Sequence, residues 1–182
     1  MINVYEYAKE NNVVKASAIS SLKTLEQFFR SLNINVAIEI GTFWGITAAY
    51  IAQFANRVHT FDILDHYEKY KVWHDVGVSS KIVFHLIKSR DIVDGVFKDF
   101  EGRHKTTGKE VDIKAIIDNL KFDFAFIDGD HSYKNVKADF ELVKKCGRVL
   151  FHDIEPEFKG IYKFAHEIGI KKIYHNVGYW QK

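Results

Sequence analysis

The sequence predicts an α/β fold: a doubly wound, mostly parallel sheet with helices on both faces. Two observations predict it. Five short runs rich in Val, Ile and Phe recur along the chain, separated in most cases by longer amphipathic runs. The short runs are nearly continuous in hydrophobicity, as strands covered on both sides are, rather than alternating as half-exposed strands do. Right-handed crossovers then place helices above and below the sheet.

The elements follow in order. Residues 16–32 read as a helix with Ile19, Leu22, Leu25, Phe28, Phe29 and Leu32 on one side. "VAIEIG" (36–41) is the first strand, and "ITAAYIAQFAN" (46–56) the helix that returns from it. "RVHTFDI" (57–63) and "KIVFHLI" (81–87) are the next strands. Tyr67, Tyr70 and Trp73, spaced by three, read as the buried side of a helix, though they would also serve as walls of a pocket. "KDFEGRHKTTGKE" (98–110) is charged and holds two glycines, which suits a surface loop or lid. "FDFAFID" (122–128) precedes "YKNVKADFELVKK" (133–145), where Val136, Phe140 and Val143 repeat at four and three residues. Lys144 and Lys145 suit the last turn of that helix and Gly147 its end. "RVLFHDI" (148–154) is the fifth strand and "KGIYKFAHEIG" (159–169) the last helix. "KKIYHNVGYWQK" (171–182) reads as a hairpin or one bent strand, with Asn176, Val177 and Gly178 as the turn. One domain is expected over 1–182: a helical segment 1–35, a core 36–155, and a closing helix and strand 156–182.

Composition narrows the function. With 47% hydrophobic and 27% charged residues the chain is globular. A net charge of +2 does not suit nucleic acid or an anionic membrane as the main partner. Cys146 stands alone, so no internal disulfide forms. "MINVYEYAKENN" lacks the basic-then-apolar pattern of a secretory signal, and no apolar run has the roughly 18 residues of a membrane span. A cytoplasmic location is the expectation.

Four predicted strands end near a carboxylate: Glu39, Asp62, Asp128 and Asp153. Ligands of open parallel sheets bind at the carboxyl edge, and a carboxylate is cheaper to keep there than inside the sheet. "EIGTFWGIT" carries Gly41 and Gly45 between strand and helix. A nicotinamide fingerprint would want glycine where Phe43 and Ile46 stand, and a P-loop would want Lys where Ile46 stands. Asp62, 21 residues after Gly41, has the position of a ribose-binding acid. Trp44, inside the turn, is expected to face a ligand. His85, mid-strand, is expected to be a hydrogen-bonded core residue, and His104, Lys105 and their neighbours a solvated loop.

"EIGTFWGIT", "HTFDI", "FAFIDGDHSY" and "GRVLFHDI", in this order, resemble a class I S-adenosylmethionine-dependent methyltransferase, in particular its compact O-methyltransferase-like branch. The resemblance covers about 36–155. It implies methyl transfer to a hydroxyl of a small molecule, a sugar or a secondary metabolite. It implies that Glu39, Gly41 and Gly45 hold the methionine part of the cofactor, that Asp62 meets the ribose, and that Ser89 to Asp91 lie near adenine. Asp128 would border the cofactor and, with Asp153, hold Mg2+ or another divalent cation. His131 would be the general base. His152 stands where some relatives have glutamate; magnesium prefers oxygen, so a buried, hydrogen-bonded role suits His152 better than ligation. Asp130 remains open between a helix cap and a metal ligand. The acceptor pocket is not legible in 1–35 or 91–120, and its completion by a second subunit, as a homo-oligomer, is left open. The other class of function on the same residues is a noncatalytic nucleoside-binding or interaction module.

Overall fold

The computed structural model describes residues 2–13, 18–87, 96–98, 104–106 and 113–182, the two short pieces by backbone alone. Three short helices open it: α1 (Val4–Glu10), α2 (Ile19–Leu22) and α3 (Glu26–Ser31). Then come β1 (Ile34–Ile40), α4 (Ile46–Ile51), β2 (Ala55–Asp62), α5 (Glu68–Asp75) and β3 (Ile82–Leu86). β4 (Val96–Lys98) and β5 (His104–Thr106) form a separate antiparallel pair. α6 (Ile113–Asn119), β6 (Phe124–Ile127), α7 (Tyr133–Val143), β7 (Arg148–Phe151), α8 (Lys159–Glu167), β8 (Lys171–Tyr174) and β9 (Val177–Gln181) complete it.

The seven-stranded sheet has the order β3-β2-β1-β6-β7-β9-β8. β3, β2, β1, β6 and β7 run parallel, while β9 pairs antiparallel with both β7 and β8. The expected five parallel strands and the terminal hairpin are both present. Its turn is His175–Asn176, one residue earlier than the sequence suggested, and Val177 and Gly178 already lie in β9.

The core has two halves, one per face. Phe124 and Phe126 point to the side covered by α1 to α5, Ala125 and Ile127 to the side of α6, α7 and α8, as the twofold alternation of a strand requires. Phe29, fully buried, packs edge-on against Tyr50 and Phe124 at centroid distances of 5.5 and 5.7 Å. On the other face Phe140 meets Phe164 at 5.5 Å and Trp180 at 4.9 Å.

Three helices differ from the sequence reading. α1 was not expected; Asn3 caps it, its Oδ1 accepting from the N–H groups of Tyr5 and Glu6, and Val4, Tyr7 and Ala8 are buried. The helix over 16–32 is broken by a 3₁₀ turn at Lys23–Leu25, where the Thr24 hydroxyl donates to the carbonyl of Ser21. The helix over 46–56 stops at Ile51, because Ala55 already pairs with Ile34 in the sheet. α7 starts as expected, with Ser132 as its cap. β4 and β5 give strand structure within the stretch read as a loop; Arg103 and Lys109 lie outside the described residues.

Candidate active site

The parallel strands bring their carboxyl ends to one edge, and the chain order reverses between β1 and β6, the place where ligands bind in such sheets. There Gly41 has φ +98°, and a Cβ on it would fall 2.3 Å from the carbonyl oxygen of Asp128. The two strand ends touch only because residue 41 has no side chain. Gly45 has φ +73°, and a Cβ there would fall 2.6 Å from the Trp73 indole nitrogen, which donates to the Gly45 carbonyl at 2.8 Å. Both glycines are thus required by packing within the protein, whatever they do for a ligand.

Asp62 closes this turn. Its Oδ2 accepts from the backbone N–H of Thr42 at 2.9 Å and of Phe43 at 2.7 Å, and its Oδ1 from Leu64 N–H at 3.0 Å. Phe43 has φ +45°, a conformation that these bonds hold. Of about four acceptor positions on a carboxylate, roughly one is left for a ligand.

Glu39, one residue before the end of β1, is fully buried. Its Oε2 accepts from the Thr60 hydroxyl, which also meets the Thr42 hydroxyl at 2.5 Å. Oε1 has no partner among the described residues. Burial, joined by the charges of Asp128 and Asp62 and only partly offset by Thr60, raises the Glu39 pKa well above the ordinary carboxyl value. The indole nitrogen of Trp44 is a second buried polar atom without a partner among the described residues.

The stretch after β6 carries the densest chemistry. His131 Nε2 lies 3.3 Å from Asp153 Oδ2 and 4.0 Å from Asp128 Oδ1. Its ring packs edge-on against Phe158, with centroids 4.5 Å apart. The Asp128 carboxylate, and after burial the Asp153 charge, raise the His131 pKa, burial alone acting the other way. His152 Nδ1 lies 3.0 Å from Asp128 Oδ1 and 3.3 Å from Asp153 Oδ2. Burial alone would lower the His152 pKa, but the bonds and charges of the two carboxylates overturn that and raise it. Burial likewise pushes Asp128 up, and the two imidazoles reverse the shift and hold it low. Asp153 has φ +55°, a left-handed backbone that aims its carboxylate back at the histidines.

One ligand atom each from Asp128, His152 and Asp153 lie within 4.8 Å of one another, a spacing that one cation can bridge. Asp130 does not join them: its oxygens accept from Ser132 N–H at 2.6 Å and the Asn135 amide at 3.2 Å, fixing the turn into α7. Asn176, in the β8–β9 turn, was missed by sequence reasoning. Its side-chain N–H groups reach Asp153 Oδ1 at 2.9 Å and His152 Nε2 at 3.0 Å.

Other expectations settle as follows. Trp73 is buried, but Tyr67 and Tyr70 are 80% and 42% exposed, so α5 buries only one of the three aromatics. His85 is half-buried, stacked on Phe61 and 3.0 Å from His59 Nδ1. Ser89 and Asp91 lie outside the described residues.

Residues 38–154 match a family model described as a methyltransferase domain. The chain belongs to this family. No curated protein sequence matches this methyltransferase. Solved structures do. The O-methyltransferase TomG from Streptomyces achromogenes, involved in tomaymycin synthesis and solved with SAM, is 16% identical with a TM-score of 0.66. The match covers 98% of this chain and 86% of TomG. An O-methyltransferase from Bacillus cereus, solved with SAH, is 18% identical with a TM-score of 0.65, covering 100% of this chain and 92% of the other. A precorrin-8w decarboxylase from Methanobacterium thermoautotrophicum is 13% identical with a TM-score of 0.56, covering 88% and 89%. The methyltransferase shares its fold with all three.

Proposed function

We propose that this methyltransferase uses S-adenosylmethionine to methylate a hydroxyl of a small molecule, a sugar or a secondary metabolite, with His131 as general base. The observation that carries the reading is the position of His131, with its Nε2 beside Asp153 and Asp128 at the edge where the cofactor turn also lies. The family match and the O-methyltransferases of like fold, one solved with SAM and one with SAH, support it.

The cofactor has a positive sulfonium and no pyrophosphate, which suits an edge lined by the carboxylates of Asp62 and Asp128. The free oxygen of Glu39 offers an acceptor to the ammonium of its methionine part, beside the turn of Gly41 and Gly45. Asp62 keeps an acceptor position for a ribose hydroxyl, and the unpartnered Trp44 N–H offers a donor. Ser89 is assigned to the adenine end by resemblance alone.

In the reaction, the acceptor oxygen attacks the sulfonium methyl in line. The C–S bond breaks, its electron pair goes to sulfur, and S-adenosylhomocysteine leaves as a neutral thioether. The hydroxyl proton passes to His131, and the imidazolium so formed is stabilised by Asp153 and Asp128. Alignment of oxygen and methyl supplies much of the remaining rate.

Asp128 and Asp153 would hold a divalent cation, a reading supported by one oxygen of each lying within 4.8 Å of the other. Bound there, the cation would lower the pKa of the acceptor hydroxyl and balance the two carboxylates. A cytoplasmic location belongs to the same proposal. It rests on the sequence reading; among the described residues no helix is long and apolar enough to cross a membrane.

The test is methyl transfer from labelled S-adenosylmethionine to a panel of hydroxyl compounds. His131→Ala is expected to lower turnover by about 10²–10⁴ while cofactor binding persists. Full turnover in that variant would remove the general-base role.

A further inference from the structure

α5 buries a lysine. Its covered face is Lys69, Val72 and Trp73, while Tyr67 and Tyr70, which the sequence offered for that face, lie exposed. Lys69 is fully buried. A well-packed apolar side chain usually serves stability as well as a buried ion pair does, so an ammonium kept here does something other than fill space. Nζ donates to Asp65 Oδ1 and, at 2.9 Å, to the His66 carbonyl. It also sits 3.8 Å from the centre of the Phe84 ring and 4.7 Å from that of Tyr70, whose faces favour a cation.

What Lys69 holds is the segment that leaves β2 just after Asp62. Asp62 fixes the start of that segment, its Oδ1 accepting from Leu64 N–H and its Oδ2 from Thr42 and Phe43 N–H. Lys69 fixes the end, at Asp65 and His66. The His66 ring packs edge-on against Phe43, with centroids 4.9 Å apart, and a Cβ on Gly45 would fall 2.6 Å from Lys69 Cβ. Residues 62–66 and the glycine turn 41–45 are thus joined through α5. A neutral side chain of similar length would still cover Gly45, but it would lose the bonds to Asp65 and the His66 carbonyl.

We infer that Lys69 is a positioning residue for the nucleoside half of the cofactor: its buried ammonium anchors Asp65 and His66 and so keeps Asp62 aimed at the ribose. Asp62 has only about one acceptor position left for a ligand, and a hydrogen bond weakens steeply as its angle is lost. Slack in residues 62–66 therefore lowers affinity directly. Glu39, offered to the methionine half, is held on β1 by Thr60 instead. The inference rests on the S-adenosylmethionine reading given above and extends it to a residue that acts only through its neighbours.

Calorimetric titrations compare S-adenosylhomocysteine with methylthioadenosine, which carries the nucleoside half without the amino acid. They are run on wild type and on Lys69→Met, which keeps the length of the side chain without its charge, at a temperature where melting curves show both folded. Both ligands should bind Lys69→Met about 10-fold or more weakly, by equal factors. In an Asp62→Ala background the same substitution should cost no more than about 2-fold, because Lys69 acts through Asp62. Unchanged affinity in folded Lys69→Met, a loss confined to S-adenosylhomocysteine, or an undiminished further loss in Asp62→Ala would each overturn the inference. Should Lys69→Met fail to fold, Asp65→Ala removes the same ion pair from its outer end, at a side chain 37% exposed, and should weaken both ligands alike; wild-type affinity there overturns the inference too. If wild type binds neither ligand, the methyltransferase reading falls and the inference with it. If wild type and variants bind both equally, the inference alone falls.

Discussion

Gly160 lies against the backbone of His131. The N–H of Ile161 donates to the His131 carbonyl at 3.0 Å, and a Cβ on residue 160 would fall 2.2 Å from that oxygen and 2.4 Å from Tyr133 N. The first turn of α8 is therefore pressed onto the segment that carries the proposed base. Both listeners to this contact are backbone atoms, which cannot turn aside as a flexible side chain can. Gly160→Ala is expected to destabilise the chain by about 1–3 kcal/mol, and to move His131 relative to Asp153. Thermal melting and methyl-transfer assays check it: turnover should fall more than the loss of folded protein explains.

Glu39 gives the chain a pH dependence of a particular sign. Below about pH 4.5, the ordinary value, Glu39 carries a proton in both the folded and the unfolded chain. Above it the unfolded chain releases that proton and the folded chain keeps it, so stability falls as pH rises toward the raised folded value. Glu39→Gln removes this loss. Its melting temperature should exceed that of wild type at pH 8, with the gap closing toward pH 4.5, while its affinity for S-adenosylmethionine falls.

His59 and His85 act at the acid end. Burial first, and then the neighbouring His85, lower the His59 pKa from 6.5 to about 4, and burial lowers His85 as well. As pH drops from 6.5 toward 4 the unfolded chain takes up protons that folded His59 refuses, and stability declines across that window. The pair is only half-buried, so water screens part of the effect. Melting temperatures taken from pH 7 to pH 4 should fall less steeply in His59→Gln than in wild type.

Asp62 holds three backbone N–H groups, those of Thr42, Phe43 and Leu64. In Asp62→Ala each loses its partner, at about 1 kcal/mol or more apiece where water does not replace it. A drop of several degrees in melting temperature is expected, at about 2–4 °C per kcal/mol for a chain of this size. Asp62→Asn, which keeps one acceptor oxygen, should fall between wild type and Asp62→Ala.

The sheet was legible because its strands announce themselves locally: Phe124 to Ile127 are apolar without interruption and are buried on both faces. Asp128 and Asp153 were legible because each follows such a strand, while His131 was placed by the family resemblance. What stayed hidden depends on contacts distant in sequence. Nothing near Asn176 marks it for the site, since it arrives there through the antiparallel insertion of β9. Gly160 reads as a helix residue until α8 is seen against the turn after β6. The roles of Gly41 and Gly45 were legible in part: a tight turn between strand and helix could be read, but the packing of Asp128 and Trp73 against them could not. α1 carried a local signal, Asn3 followed by Val4, Tyr7 and Ala8, in only seven residues, too few for periodicity to stand out.

Calorimetric titration with S-adenosylmethionine, beside a nicotinamide dinucleotide, tests most directly whether the carboxyl edge of the sheet serves a methyl donor. Saturable binding of S-adenosylmethionine, weakened in Asp62→Ala and not matched by the dinucleotide, is the expected result. Absence of S-adenosylmethionine binding by the folded wild-type chain would contradict the account.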